Sequence, residues 1–375
     1  MANPPVAKLT IMGKPYERGY QHGSQAREMV HSGVAFYSQM WEENIGRSRE
    51  DLLALAAEFE PVVGNYDAEI LEEIEGVAAG AGLTLAEVMV VNARYELMLA
   101  ALFSDETVAP PGECTALAAG PGATADGHTL IAQNWDWVPQ ARSRSLLLEI
   151  QQEDRPDILT HVEAGFMGHK GLNSEGLGMC ANAMSSKIDR FAAAVPAWVL
   201  ARSVLNCSTL SEVEAEMERA ERTASVNFMV ASRAGEVAAV EVSPIDVKAV
   251  GAADGRLVHG NVFADLSPER GLEDRLAGLY PQFCDRVERA CGLMAAGEIS
   301  VERLQAVLSD HGNRPESICR HPEDQPEDAP PAIILETVVS VIMDLTEGAL
   351  YITGGPPCQN EYVEHRLTRN EYAGA

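Results

Sequence analysis

Positive charge is scarce in this 375-residue chain: 28 Lys and Arg stand against 56 Asp and Glu, a formal net charge of −28. Such a field repels phosphate backbones and anionic lipid surfaces, which argues against nucleic-acid and membrane partners. Lysine is especially rare, with Lys8, Lys14, Lys170, Lys187 and Lys248 the only five. No apolar run reaches the roughly 18 residues of a membrane span. The opening MANPPVAKLTIMGKPYERG also lacks the apolar core of a signal peptide. The seven cysteines are odd in number and scattered, with no C-x-x-C pair. That excludes zinc-ribbon and thioredoxin patterns and predicts reduced thiols in a cytoplasm. There is no internal repeat, and low complexity is confined to the polar, proline-rich stretch 322–331.

What is present is an ordinary globular composition, 46% hydrophobic and 22% charged, with a clear change of texture along the chain. The first hundred residues read as helical. YERGYQHGSQAREMVHSGVAFYSQMWEE has apolar residues at helical spacing, and Ser48/Asp51 and Thr84/Glu87 are N-terminal cap pairs. The block ends at Pro110, Pro111 and Gly112. Short strand-like segments follow from Cys114: TALAA, HTLIAQNWDW, SLLLEIQ, ILTHVEAG and LGMCANAM. Two helices are expected near 195–206 and 209–222, the second capped by Thr209 and Glu212. Strands then resume in SVNFMVAS, EVAAVEVS, DVKAV and RLVHGNVF. A helical pair near 272–309 precedes a closing hairpin in IILETVVSVIMDLT and ALYITGG. So many consecutive strands without intervening helices predict an α+β fold with antiparallel sheets.

Cys114 is the candidate nucleophile. It lies at the start of a strand, just after a Pro/Gly turn. A free thiol has a pKa near ~8.5 and needs a base. If the bond before it is cut, its own α-amine, with a pKa of roughly 7.7–8.0, supplies that base, the logic of N-terminal nucleophiles. Twenty-two residues on, Asp136 in QNWDW is expected on the next strand of a hairpin, where a carboxylate would orient the new ammonium. Asn261 in VHGNVF offers an uncharged amide donor to an oxyanion.

The run GECTA…AQNWDW, with EAGFMGHKGLNSEGLGMCANAM, SVNFMVAS, GEVAAVEVSP, GRLVHGN, PESICRHP and GGPPCQNEY, resembles the acyl-coenzyme A:6-aminopenicillanate acyltransferase family. These are self-cleaving enzymes with an N-terminal cysteine nucleophile (Ntn), and GKPYERGYQHG is similar to the family's opening helix. The resemblance implies a four-layer αββα sandwich. It implies self-cleavage between Glu113 and Cys114, giving a small chain, 1–113, and a large chain, 114–375, that stay associated within one domain. Cys114, Asp136 and Asn261 would be catalytic. The resemblance also marks Arg320, as structural or substrate-positioning. Beside these motifs, Asn134, Trp135, Phe166, Met167, Asn173 and Asn227 are expected to support substrate or structure, and our mechanistic expectation is that a backbone N–H of the glycine-flanked loop 165–168 shares the oxyanion with Asn261. No cofactor or metal is required. Two departures stand out: HGNV replaces the family's usual HTNH, and Glu113 replaces a frequent glycine.

The expected activity is hydrolysis of a linear amide of a small N-acyl amine or amino-acid derivative through a thioester. Acyl transfer to a second amine and a non-catalytic binding role are the alternatives, and a homo-oligomer is compatible with either. A papain-like site would need His128 or His259 beside Cys114. The group His311, Cys319 and His321 matches no common metal-ligand spacing and reads as a surface loop. Cys284 and Cys291 read as one face of a helix and as core, while Cys180, Cys207 and Cys358 have no special context.

Overall fold

The computed structural model describes residues 6–98, 113–324 and 334–368. The turn expected at 110–112, the helical run past 98 and the loop residues 325–331 lie outside them. An eight-stranded sheet runs in the order β1 (Ala7–Met12), β4 (Ser145–Gln151), β5 (Ile158–Glu163), β6 (Lys170–Asn173), β7 (Leu177–Ala183), β8 (Val226–Ser232), β9 (Val237–Val242) and β10 (Val247–Gly251). A six-stranded sheet runs β11 (Arg256–His259), β2 (Glu113–Ala119), β3 (Leu130–Trp137), β12 (Glu336–Asp344), β13 (Ala349–Thr353) and β14 (Val363–Arg366).

The sequence of β2 explains the layering. Cys114, Ala116 and Ala118 point into one apolar cluster, shared with the eight-stranded sheet and the N-terminal helices. Leu117 and Ala119 enter another, with Ala290, Met294, Leu304 and Leu308. This two-residue period of small apolar side chains belongs to a strand buried on both faces. Accordingly β2 and β3 pack on β7 and β8. Helices Ala197–Leu205 and Leu210–Arg219 cover the outer face of the large sheet, and Gln282–Met294 and Val301–Leu308 cover the small one. The result is the αββα sandwich that the resemblance implies.

The α+β expectation holds, with one parallel strand pair among the described residues. The large sheet is not purely antiparallel, because β1 pairs parallel with β4, from Ala7 opposite Leu146 to Met12 opposite Gln151. The chain between them carries the whole helical block and the β2–β3 hairpin, ample length for a parallel crossover. Three strands escaped the sequence reading: β1, the four-residue β6 and β14.

The opening helical run divides at Ala26 into Pro15–Gln25 and Arg27–Ile45. Its GYQHG motif is a packing device. A Cβ on Gly19 would lie 1.9 Å from the Glu73 carbonyl oxygen, and one on Gly76 would lie 2.2 Å from that of Tyr16. Helices Pro15–Gln25 and Ala68–Ala81 therefore touch backbone to backbone. Beside this contact Glu73 accepts from Arg18 and Arg202, all three buried. Ser48/Asp51 and Thr84/Glu87 form full capping boxes. Thr209 caps its helix, but Glu212 reaches back to the Ser208 N–H instead of closing a box. Among the described residues no single helix is long and apolar enough to cross a membrane.

Candidate active site

Cys114 is 4% exposed and directly opposite Trp135 across β2 and β3. Paired residues share a face, so Cys114 and Trp135 both look toward the large sheet. Asp136, one residue on, faces the opposite helical layer. There Thr337 Oγ1, its cross-strand partner on β12, donates to Asp136 Oδ1 at 2.7 Å. Arg286 Nη1 lies 3.8 Å from Asp136 Oδ2, and among the described residues that oxygen accepts no hydrogen bond. Burial pushes the Asp136 carboxyl up to about 7, against the pull of Arg286 and Thr337.

Asn261 joins the two sides. Its Oδ1 accepts the backbone N–H of Cys114 at 2.9 Å and an Arg286 Nη2 hydrogen at 3.1 Å, while its Nδ2 donates to the Ala183 carbonyl at 3.0 Å. Two donors on one atom and an acceptor on the other fix the amide orientation. The turn bearing Asn261 is held by Glu241, which takes His259 Nε2 at 3.0 Å and the Ala264 N–H at 2.5 Å, and by Asp274, which takes the Phe263 N–H at 2.8 Å. Gly260, the first departure from HTNH, has a structural counterpart: a Cβ there would lie 2.6 Å from Val287 Cγ2. Its absence lets helix Gln282–Met294 approach, and that helix carries Arg286.

The face shared by Cys114 holds a buried lysine. Lys170 Nζ lies 4.6 Å above the Trp135 ring, 2.8 Å from His169 Nδ1 and 3.4 Å from His161 Nδ1. Among the described residues no carboxylate lies within 4 Å of it. Burial draws its pKa down to about 7, with Cys114 and Cys180 pulling the other way. Burial pushes the Cys114 thiol up to about 12, with Lys170 the chief opposing influence.

The other named residues divide. Asn134 donates to the carbonyls of Leu308 and Ile318, at 2.8 Å each, tying β3 to the outer helices. Asn173 braces the β6–β7 turn and the end of helix Ala197–Leu205. Asn227 Nδ2 donates to Asn182 Oδ1 across β8 and β7. Phe166 stacks on Trp198 at 5.8 Å beneath the Arg94 guanidinium. The N–H groups of Gly165, Phe166 and Met167 are occupied by His22 Nε2, the Glu163 carbonyl and Asn92 Oδ1. Three of the four N–H groups of the loop 165–168 are thus occupied by acceptors within the protein. Arg320 pairs with Glu316, and its backbone exchanges hydrogen bonds with Thr337. Glu113 opens β2 opposite Asp136.

Neither histidine of the papain-like alternative is hydrogen-bonded to the thiol. His128 bonds Asp344 at 2.8 Å, and His259 bonds Glu241 and the Gly260 carbonyl. The groove of about 580 Å³ between Tyr66, Arg155 and Arg219 is lined by none of the residues around Cys114. Sequence reasoning missed Arg286, Thr337 and Lys170. Scarcity was the only signal for the lysine, and nothing local marked the other two.

A buried cysteine, aspartate and asparagine are thus gathered where the two sheets of an αββα sandwich meet the helical layer. A family model described as acyl-coenzyme A:6-aminopenicillanic acid acyl-transferase matches residues 123–355, well over half of the chain, and the chain belongs to that family. It is 28% identical over 313 residues, 83% of this chain and 84% of the relative, to the acyl-coenzyme A:6-aminopenicillanic-acid-acyltransferase 40 kDa form of Emericella nidulans. An uncharacterized protein of Archaeoglobus fulgidus is 28% identical over 181 residues, 43% of this chain and 30% of that one. Among solved structures, the C2A mutant of the conjugated bile acid hydrolase from Clostridium perfringens aligns with TM-score 0.43 and 15% identity, over 70% of this chain and 94% of the other. Penicillin V acylase from Agrobacterium tumefaciens aligns with TM-score 0.41 and 14% identity, over 68% and 87%.

Proposed function

We propose that the chain is the precursor of an N-terminal-cysteine amidohydrolase that cuts itself between Glu113 and Cys114. The observation that carries this reading is the hydrogen bond from the Cys114 N–H to Asn261 Oδ1, within the Arg286–Asp136–Thr337 group. The nitrogen that would become the catalytic amine is already held.

In the precursor that nitrogen is an amide and cannot act as a base. Lys170, on the thiol's own face and with its pKa drawn down to about 7, takes the thiol proton instead. Sγ adds to the Glu113 carbonyl carbon, the C–N bond to Cys114 breaks, and the proton passes to the departing nitrogen. Water then hydrolyses the resulting thioester, leaving Glu113 as a carboxylate and Cys114 with a free amine. Asp136 Oδ2 is the oxygen left to receive that ammonium.

In turnover the amine takes the thiol proton, Sγ attacks a substrate amide carbonyl, and the second Nδ2 hydrogen of Asn261 serves the oxyanion. The leaving amine departs protonated and water releases the acid. The substrate class is a small N-acyl amine or amino-acid amide. Acyl transfer to an amine is the second reading, favoured by the name of the Emericella nidulans relative. The two readings differ only in the acceptor, so adding free amine to a hydrolysing sample and measuring new amide separates them. An amide library screened with processed wild-type protein and with Cys114→Ala tests the activity itself. Turnover that survives in the variant contradicts the reading.

A further inference from the structure

Four side chains distant in sequence converge at the end of the small sheet. His311 follows helix Val301–Leu308, Cys319 and His321 flank Arg320, and Cys358 follows the Gly-Pro-Pro turn after β13. Cys319 and His321 are buried, not in a surface loop, and Cys358 acquires a context that the sequence did not suggest.

The separations are 3.7 Å between the two Sγ atoms, 3.5 and 3.3 Å from His321 Nε2 to Cys319 and Cys358 Sγ, and 3.0 Å between His311 Nε2 and His321 Nε2. All four ligand atoms lie within 4.8 Å of one another. With zinc–sulfur and zinc–nitrogen bonds of about 2.3 and 2.05 Å, a regular tetrahedron has S–S, S–N and N–N edges of about 3.8, 3.5 and 3.3 Å. The S–S separation and both His321–sulfur separations agree with those edges to within about 0.2 Å, the His–His separation is about 0.3 Å shorter, and His311 Nε2 lies within 4.8 Å of both sulfurs.

Their own hydrogen-bonding capacity does not explain the arrangement. His321 Nε2 meets three neighbours, yet an imidazole nitrogen has one lone pair or one hydrogen to offer. The sulfurs are far beyond the ~2.05 Å of a disulfide. A central cation satisfies all four donors at once. His321 Nδ1 then carries a hydrogen on the side of the Glu323 carboxylate, whose Oε1 lies 3.6 Å away, and a carboxylate is a usual outer partner of a ligating histidine.

We infer that His311, Cys319, His321 and Cys358 form a closed tetrahedral site for a thiophilic divalent cation of the zinc class. Two thiolates disfavour magnesium and calcium. Four protein ligands leave no open position, so the role is structural. Its consequence for the active site is direct. Cys319 and His321 fix the Arg320 backbone between them. Its N–H donates to Thr337 Oγ1 at 2.9 Å, its carbonyl accepts the Thr337 N–H at 3.1 Å, and Thr337 in turn holds Asp136. The metal assignment stands apart from the proposed activity; only this last link rests on it.

Cys284 and Cys291, read as core from the sequence, are exposed. The test is elemental analysis of the purified full chain, expressed with zinc and dialysed, beside Cys358→Ser and His311→Ala, with Cys291→Ser as a surface-cysteine control. Zinc close to one per chain in wild type and control, and at least tenfold less in the two ligand variants, supports the site. Cobalt substitution of wild-type protein gives a reading that needs no variant: thiolate-to-cobalt charge transfer with intense tetrahedral d–d bands. Wild-type protein that neither retains zinc nor develops the cobalt spectrum overturns the proposal. So does a Cys319–Cys358 disulfide in the non-reduced peptide map, or zinc retained in both ligand variants.

Discussion

Asn261 Oδ1 accepts the backbone N–H of Cys114 across 147 positions of sequence, at 2.9 Å and out of contact with water. A side-chain amide thus holds the nitrogen of the bond to be cut, and its own nitrogen is anchored on Ala183. Removing it leaves a buried donor unpaired, at a cost of about 1–3 kcal/mol. Asn261→Ala in a Cys114→Ala background is expected to lose that much in urea unfolding. In the wild-type background it is expected to slow self-cleavage about 10²-fold or more. Asn261→Asp keeps the acceptor and loses the donor, so it is expected to spare cleavage more than turnover.

Lys170 separates the precursor step from turnover. Cleavage of freshly refolded precursor, followed by intact mass, is expected to rise with pH as the Lys170 amine deprotonates around 7. Lys170→Met is expected to remove that limb and slow cleavage by about 10²-fold or more. The groups facing this amine are His161, His169, Cys114, Cys180, Arg94 and Glu163. Burial drives both histidines well below their usual range, so they are neutral throughout that window. A Lys170→Met precursor with an unchanged pH profile would remove the lysine from the mechanism.

Asp136 predicts a conflict between stability and activity. Its folded pKa of about 7 lies above the unfolded 3.8, so the native state binds more protons between those limits. Its contribution to stability is therefore fully present below the unfolded value and lost as pH rises through about 7. Asp136→Asn in the uncleaved Cys114→Ala chain is expected to raise stability at pH 8 and to change it little near pH 4. The same substitution in wild type is expected to lower activity. Denaturant curves at the two pH values, with assays alongside, check both halves.

The backbone contact between helices Pro15–Gln25 and Ala68–Ala81 has no room for a methyl group. Gly19→Ala and Gly76→Ala would each place Cβ within 2.2 Å of a backbone atom. Overpacking of this kind costs about 1–3 kcal/mol or more. A lower Tm with unchanged sulfur and amide chemistry at the distant Cys114 is the expected result.

Local pattern carried much of the fold. SLLLEIQ became β4 residue for residue, and the capping boxes at Ser48 and Thr84 lie where the Ser/Asp and Thr/Glu spacing put them. Cys114, Asp136 and Asn261 could be singled out because each sits in a motif with a chemical reason, and the structure brings Asn261 onto the Cys114 N–H and Arg286 between Asn261 and Asp136. What was hidden depends on topology. Arg286 looks like the polar face of an amphipathic helix until Gly260 lets that helix close on Asn261. Lys170 belongs to a four-residue strand too short to show alternation, and only the meeting of two sheets puts it beside Trp135. Cys358 is 37 residues from His321, and no ligand spacing connects them before β13 folds back.

The most direct test is intact mass spectrometry of purified wild-type protein beside Cys114→Ala. The account predicts two wild-type chains, ending at Glu113 and beginning at Cys114, and one uncut chain in the variant. A single full-length chain in both would contradict it, because Cys114 would then never acquire the free amine on which turnover depends.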